Sequence, residues 1–246
     1  MRISTRGPAL RVLSNGTVLL NRLLAALPAE LYGQVSKDLR LIEVVVGKAL
    51  IEHGAPVRHV YFPNGGVYSV TNQMRDGELV EVATVGTEGM LGVSVFLGDL
   101  MGTGRTLQQV PNGLLPSMPV AKFIKYTATP GPFRDAVARY AQANLLQVMQ
   151  CTACNALHRI EQRCSRWLLQ THDRVGADEF QLKQEFLAIM LGASRPTVTL
   201  VMGTLQKAGI VSSRYGRIRI LDRKKLEKTS CECYAVTIAQ FRRLGV

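Results

Sequence analysis

Apolar positions recur at three- and four-residue steps twice within residues 180–210, FQLKQEFLAIMLGASRPTVTLVMGTLQKAGI. Leu182, Phe186, Leu187 and Met190 form the first set; Val198, Val201, Met202 and Leu205 form the second, after a break at Leu191-Gly192-Ala193. This spacing predicts two short amphipathic helices sharing one core. Gly192 supplies the turn, and Ser194 is placed to cap the second helix by accepting from a backbone N–H near Thr197. Pro196 then falls in the first helical turn, where its missing N–H matters little. Arg195, Thr197, Thr199 and Leu200 are left facing outward. An arginine opening such a helix can reach guanine O6 and N7 with its forked guanidinium, so the segment reads as a DNA-binding helix-turn-helix. An ordinary helical hairpin with a solvated arginine would show the same spacing.

Immediately downstream, VSSRYGRIRILDRKKL alternates in a way that predicts two short strands, residues 211–213 and 217–221, about a Tyr215-Gly216 turn. Arg214, Arg217 and Arg219 lie on this hairpin and Arg223, Lys224 and Lys225 follow it, a set of cations suited to phosphate contacts beside the helix.

The N-terminal half has a different rhythm. Residues 1–18 read as a loose extension, and 21–27 and 29–37 as short helices parted by Pro28. Short apolar runs then follow as far as Met118, each closed by glycine or proline: LIEVVV, HVYF, VYSVTNQM, LVEVATV and TLQQV. Many short strands at such spacing predict an antiparallel β-roll, with Asp76-Gly77 as a hairpin turn and Pro111-Asn112-Gly113 as another breaker. Residues 133–155 contain no Gly or Pro and predict one long helix. Val137, Ala141, Asn144, Val148 and Cys151 form a seam along it, which favours pairing with a second copy; an intramolecular core helix is the other reading. The fold class is therefore α+β, divided into an extension (1–18), a roll (19–131), a long helix (132–156) and a winged helix-turn-helix (157–246).

Charge sharpens this division. The 246 residues carry a net charge of +12, and sixteen Lys or Arg face eight Asp or Glu within residues 158–246 alone. The excess favours a polyanionic partner and concentrates it on the C-terminal third. Residues 1–20 hold Arg2, Arg6 and Arg11 with no apolar run of membrane length, and the five cysteines form no disulfide framework; both point to a reducing, cytoplasmic setting without a membrane partner. Cys151-x-x-Cys154 invites a metal or redox reading, but Cys164 is isolated and Cys231-x-Cys233 lies far along the chain, so helical packing is expected and no metal site is assigned. His53, His59, His158 and His172 are likewise scattered.

With a β-roll, a long helix and a winged helix-turn-helix in that order, the chain from about Asn21 onward resembles the Crp/Fnr family of bacterial transcription regulators. Lys183-Gln184-Glu185 and Ser194-Arg195-x-Thr197-Val198 match its helix-turn-helix pattern. The resemblance implies phosphate contacts from Lys183, Gln184 and Ser194, a base contact from Arg195, and double-stranded DNA as partner. Pro196 and Leu200 stand where many members have glutamate and arginine, so the preferred site should differ from theirs. Ser230-Cys231-Glu232-Cys233-Tyr234 resembles a feature of one subgroup, with no role assigned.

The family's sensory pocket implies a loop GMLGVSVFLGDLMGTGRTLQQV here, with Gly92, Arg105 and Thr106 at ligand-binding positions. Val93 replaces the glutamate that takes the ribose hydroxyl, and Met149-Gln150 fall at the hydroxyl positions of the long helix. Losing a charge-assisted hydrogen bond costs about 1.5–3 kcal/mol, which argues against cyclic AMP and leaves an unknown small-molecule effector. Arg105 is then free either to bind another anion or to pair with a carboxylate such as Asp99. The reading that results is a homodimeric, sequence-specific regulator whose DNA affinity is modulated through the roll, with RNA polymerase as a further partner if it activates. A nucleotide- or anion-binding signalling module without DNA reading is the competing class. An enzyme would need a nucleophile and base cluster that the chain lacks.

Overall fold

A computed structural model describes residues 11–12, 16–75, 77, 79–111 and 113–246. Most of the expected extension, with Asp76 and Asn112 of the two expected turns, lies outside the described residues.

The chain opens with helices α1 (Arg22–Ala25) and α2 (Ala29–Val35), separated as expected by Pro28; a 3-10 turn rather than α-helix carries α2 on to Asp38. Asn21 is fully buried and caps α1 through its side-chain oxygen, 3.1 Å from Leu24 N, while its amide donates to Pro63 O and Gly89 O. One polar side chain thus pins the first helix to two loops of the roll. Among the described residues seven strands follow: β1 (Arg40–Ile42), β2 (Ala49–Ile51), β3 (His59–Tyr61), β4 (Val67–Gln73), β5 (Leu79–Val85), β6 (Arg105–Val110) and β7 (Leu115–Pro119). They form two antiparallel sheets, in the orders β1-β7-β3 and β2-β6-β4-β5. The β-roll read from the Gly- and Pro-punctuated runs is therefore present.

Helix α3 (Val120–Thr127) leads to α4 (Pro132–Leu157), 26 residues long, which runs past the roll. Then come α5 (Ile160–Val175), β8 (Glu179–Gln181), α6 (Gln184–Leu191), α7 (Arg195–Lys207), the hairpin β9 (Val211–Arg214) and β10 (Arg217–Ile220), α8 (Arg223–Thr229) and α9 (Cys233–Arg243). Strand β10 pairs with both β8 and β9, so the wing has three strands rather than the two expected.

The seam on α4 faces inward. Val137 is fully buried in the core of the roll, and Asn144 and Val148 line a cavity of that same roll. Helix α4 carries a second, exposed stripe roughly 100° round from this seam, where Leu145 and Met149 are 53 and 60% exposed, and Leu157 at the helix end is 80% exposed. Spacing alone marked the intramolecular stripe, because apolar periodicity does not distinguish a face packed on its own domain from one left for a partner.

The C-terminal helices do not hang free of the roll. Val67 and Val110, from β4 and β6, share a buried cluster with Trp167, Leu187 and Met190 of α5 and α6. Within this contact Trp167 Nε1 donates to Glu81 Oε1 at 3.0 Å, and Ser69 Oγ donates to the other oxygen of the same carboxylate. Arg174 closes the second point of contact, pairing with Glu88 at 2.8 Å and donating to Thr84 Oγ1 at 2.6 Å. The side chains of Arg174 and Glu88 are only 9 and 5% exposed. Removing one partner leaves the other charged in a dry site, so Arg174→Ala should destabilise the chain by about 3–5 kcal/mol in urea unfolding. A loss below about 1 kcal/mol would mean the pair is solvated in solution.

Burial pushes the Glu81 carboxyl up to about 7 against its ordinary 4.5. The folded chain then holds a proton that the unfolded chain releases, so between these values stability falls as pH rises. Glu81→Gln mimics the protonated form and should flatten the decline between pH 4.5 and 7. Thermal unfolding across that range measures it, and parallel curves for the two proteins would exclude Glu81 as the source.

Candidate nucleic-acid interface and the cavity of the roll

Helices α6 and α7 meet at 103°, the geometry expected of a helix-turn-helix. Gly192 ends α6 with φ +54, a left-handed conformation that glycine adopts without a Cβ penalty. Ser194 caps α7 as expected, its oxygen accepting from Thr197 N at 3.3 Å, and Pro196 sits in the first turn. Val198, Val201, Met202 and Leu205 are buried, which turns the opposite side of α7 outward. Arg195 and Thr199 are exposed on that side, Leu200 is 74% exposed, and Thr197 is half-buried. Among the described residues, the guanidinium of Arg195 has no partner.

The other candidate contacts surround this face. Lys183 is exposed just before α6, and Gln184 is tied to α7 by the Thr199 hydroxyl, which donates to Gln184 Oε1 at 3.1 Å. Tyr215 and Gly216 both take positive φ, 50° and 73°, closing the wing with the tight turn that the sequence predicts. In β10 the alternation is strict: Ile218 and Ile220 point into the core while Arg217 and Arg219 face solvent. Arg214 is exposed as well, but Arg217 pairs with Glu179 at 3.0 Å. Both members of that pair are exposed, so the bond is weak and screened by salt. Arg223 departs from the expected phosphate set, because Asp173 at 2.7 Å, Glu227 at 2.9 Å and the Tyr234 hydroxyl at 2.6 Å hold it inside the domain.

The roll contains a cavity of about 260 Å³ between its larger sheet, the loop after β5 and α4. Gly92 and Thr106 line it, as do Ser94, Asn72, Thr103, Tyr140, Asn144 and Val148. No lysine, arginine or carboxylate is among its lining residues. Gly92 stands at φ +83 where the chain enters the short turn over Val93–Val95.

Comparison with known proteins places these features. Residues 162–229 match the Crp-like helix-turn-helix domain, a span that includes α6, α7 and the wing. The chain has the Crp/Fnr fold. Among curated proteins, the transcriptional regulator SdrP of Thermus thermophilus is 33% identical over 79 residues, which is 30% of this chain and 39% of SdrP. The chain thus matches about two-fifths of that relative's length. Among solved structures, a CRP-family transcriptional regulator from Thermus thermophilus superposes with a TM-score of 0.64 at 18% identity, covering 77% of this chain and 96% of that one. FixK2 of Bradyrhizobium japonicum gives 0.68 at 13% identity, covering 78% and 98%. At these identities the likeness establishes the fold alone.

Within the Crp/Fnr frame, the expected pocket needs two corrections. Arg105 is not among the residues lining the cavity: its Nε lies 3.4 Å from Glu52 Oε2, and Asp99, the other carboxylate expected for it, accepts from Met101 N. Met149 and Gln150 do not face the cavity either. Met149 points outward, Gln150 donates to Cys233 Sγ, and α4 offers Tyr140, Asn144 and Val148 instead. The steps of four and eight residues from Tyr140 would have singled these three out, since they mark one helical face.

The cysteines need a third correction. Distance along the chain separated Cys231-x-Cys233 from Cys154, yet the fold brings all three together with His158, while Cys151 lies apart from them and accepts from Arg166. Among the described residues no single helix is long and apolar enough to cross a membrane.

A nucleotide phosphate inside the cavity would meet no cation on its walls. Cyclic AMP at about 1 mM should therefore leave thermal unfolding unchanged, whereas a ligand a hundredfold above its Kd adds about 2.7 kcal/mol. A rise of several degrees in calorimetry would reverse this expectation.

Proposed function

We propose that the chain is a cytoplasmic, homodimeric transcription regulator that reads double-stranded DNA through α7, with Arg195 contacting a base. The observation that carries this reading is Arg195, whose guanidinium has no partner among the described residues, at the exposed start of a helix whose apolar side is buried. Thr197 and Thr199 would lie along the same groove, with Lys183, Gln184 and Ser194 on phosphates. Arg214 and Arg217 would extend the phosphate contacts along the wing, the latter by exchanging its weak pairing with Glu179. Pro196 lacks a hydrogen-bonding side chain and Leu200 is apolar, so base selection at those positions would rest on shape and methyl contact.

In this reading residues 19–131 are the sensory part, 132–156 the dimerisation helix and 157–246 the reader. The outward stripe of α4 supports the dimer. Ala138, Gln142, Leu145, Met149, Thr152 and Ala156 are all exposed and follow one another at alternating steps of four and three, the period of a two-helix seam. The cavity would hold a small effector bound through shape and neutral polar groups, with Gly92 and Thr106 on its wall and Arg105 at its mouth. Its occupant would bias the relative placement of the two readers. A signalling module specialised for nucleotide or anion binding gains no support from a cavity without cations.

Arg195→Ala should weaken binding to the selected operator by about 1–3 kcal/mol while leaving random duplex nearly unaffected, measured by anisotropy after enrichment from genomic fragments. Equal losses on both would reject base reading. Replacing Arg214 and Arg217 together should weaken every duplex and reduce the salt slope by about one to two, and an unchanged slope would remove the wing from the interface. Leu145→Glu with Met149→Glu should yield a monomer in sedimentation; a persistent dimer would place the seam elsewhere.

A further inference from the structure

Four metal-ligating side chains meet where α4 ends. Cys154 and His158 stand one turn apart there, and His158 is the residue at which the helix stops, its backbone extended at φ −99 and ψ 146. Cys231 and Cys233 come from the other end of the reader, between α8 and the first residue of α9. The four donor atoms all lie within 4.8 Å of one another. Cys154 Sγ is 3.5 Å from Cys231 Sγ across 77 positions of sequence, and Cys233 Sγ is 3.5 Å from His158 Nδ1. A tetrahedral zinc ion, with bonds of about 2.3 Å to sulfur and about 2.0–2.1 Å to nitrogen, separates its ligands by about 3.4–3.8 Å. Two edges of that tetrahedron are thus already at length, and the widest pair would close by about 1 Å.

The surroundings supply what a metal shell needs. The three cysteines are only 0, 3 and 1% exposed and form a cluster of their own, separate from both apolar cores. Cysteines serving only to fill space would be expected among aliphatic side chains; these pack against one another. His158 presents Nδ1 to the sulfurs while its Nε2 lies 3.2 Å from Glu232 Oε1. A carboxylate on the outer nitrogen fixes the tautomer whose inner lone pair is free to coordinate. Gln150 Nε2 donates to Cys233 Sγ at 3.0 Å, and the buried Arg166 acts electrostatically on Cys154 and Cys231. Three thiolates around a divalent ion leave one net negative charge, which Arg166 would offset.

We propose that Cys154, His158, Cys231 and Cys233 bind one zinc ion in a closed, four-coordinate site that ties α9 to the end of α4. Three soft sulfurs and one imidazole select zinc over the oxygen-seeking cations. With every position filled by protein, the ion holds structure and has no coordination place for a substrate. The site does not depend on the DNA-reading assignment, and its test involves no DNA.

Full-length chain purified under reductant should retain a single zinc per chain by elemental mass spectrometry. Cobalt(II) added to the metal-stripped chain should give thiolate-to-metal charge-transfer absorption with the intense d–d bands of a tetrahedral site. Cys231→Ser and His158→Ala should each lower retained metal at least tenfold, whereas Cys151→Ser, outside the four, should retain it in full. Glu232→Gln keeps all four donors and should weaken cobalt affinity about 10- to 100-fold, so the proposal stays testable if the cysteine variants fail to fold. Absence of zinc together with absence of the cobalt charge-transfer band would overturn it. So would a Cys154–Cys231 disulfide forming in wild-type chain already loaded with stoichiometric zinc, because those sulfurs would then not be ligands.

Discussion

The arrangement of this molecule turns on a carboxylate buried between its two halves. Glu81 belongs to the roll, but one of its oxygens is claimed by Trp167 of α5 and the other by Ser69 of β4. A carboxyl group placed there without partners would forfeit its hydrogen bonds to water, so the apolar contact of Val67 and Val110 with α5 and α6 is favoured when that indole N–H is in register. Arg174 adds a second fixed point through Glu88 and Thr84. Two polar attachments within an apolar contact set an angle as well as a distance. Hydrophobic burial alone is non-directional and would allow the C-terminal domain to slide on the sheet. The proposed seating of α7 on DNA depends on that angle.

Much of the fold was legible because local rules agreed with one another. Gly192, Ser194 and Pro196 occupy the positions that a C-cap, an N-cap and a first turn require, so the helix-turn-helix could be read almost residue by residue. Tyr215-Gly216 marked the wing for the same reason. Helices α3, α5, α8 and α9 went unread, although Asp222 caps α8 from its side chain. Their short or mixed patterns become decisive only once the surfaces they cover are known.

The sites were less legible than the fold, and the misses share one cause. The resemblance to the Crp/Fnr pattern implies a pocket position for Arg105, but whether it faces the cavity or Glu52 is decided by the pleat of β6 against β2. Val137 and Asn144 were assigned to the right stripe of α4 but to the wrong neighbour. Cys154 and Cys231 were separated by chain distance and joined by the packing of α9 on α4. Periodicity reports which side chains share a face; the partner of that face is set by contacts between distant parts of the chain.

Helix α4 has a consequence that extends past a single subunit. Tyr140, Asn144 and Val148 form part of the cavity wall, while Leu145 and Met149, one residue beyond Asn144 and Val148, are turned roughly 100° round the helix to an exposed flank. In the proposed dimer each of the two paired helices would carry part of a cavity wall on a neighbouring face. An occupant that shifts one wall would press its neighbour's wall through a rigid rod about 10 Å thick. The two effector sites would then titrate as one coupled pair, and the response to effector would be steeper than either cavity could produce by itself.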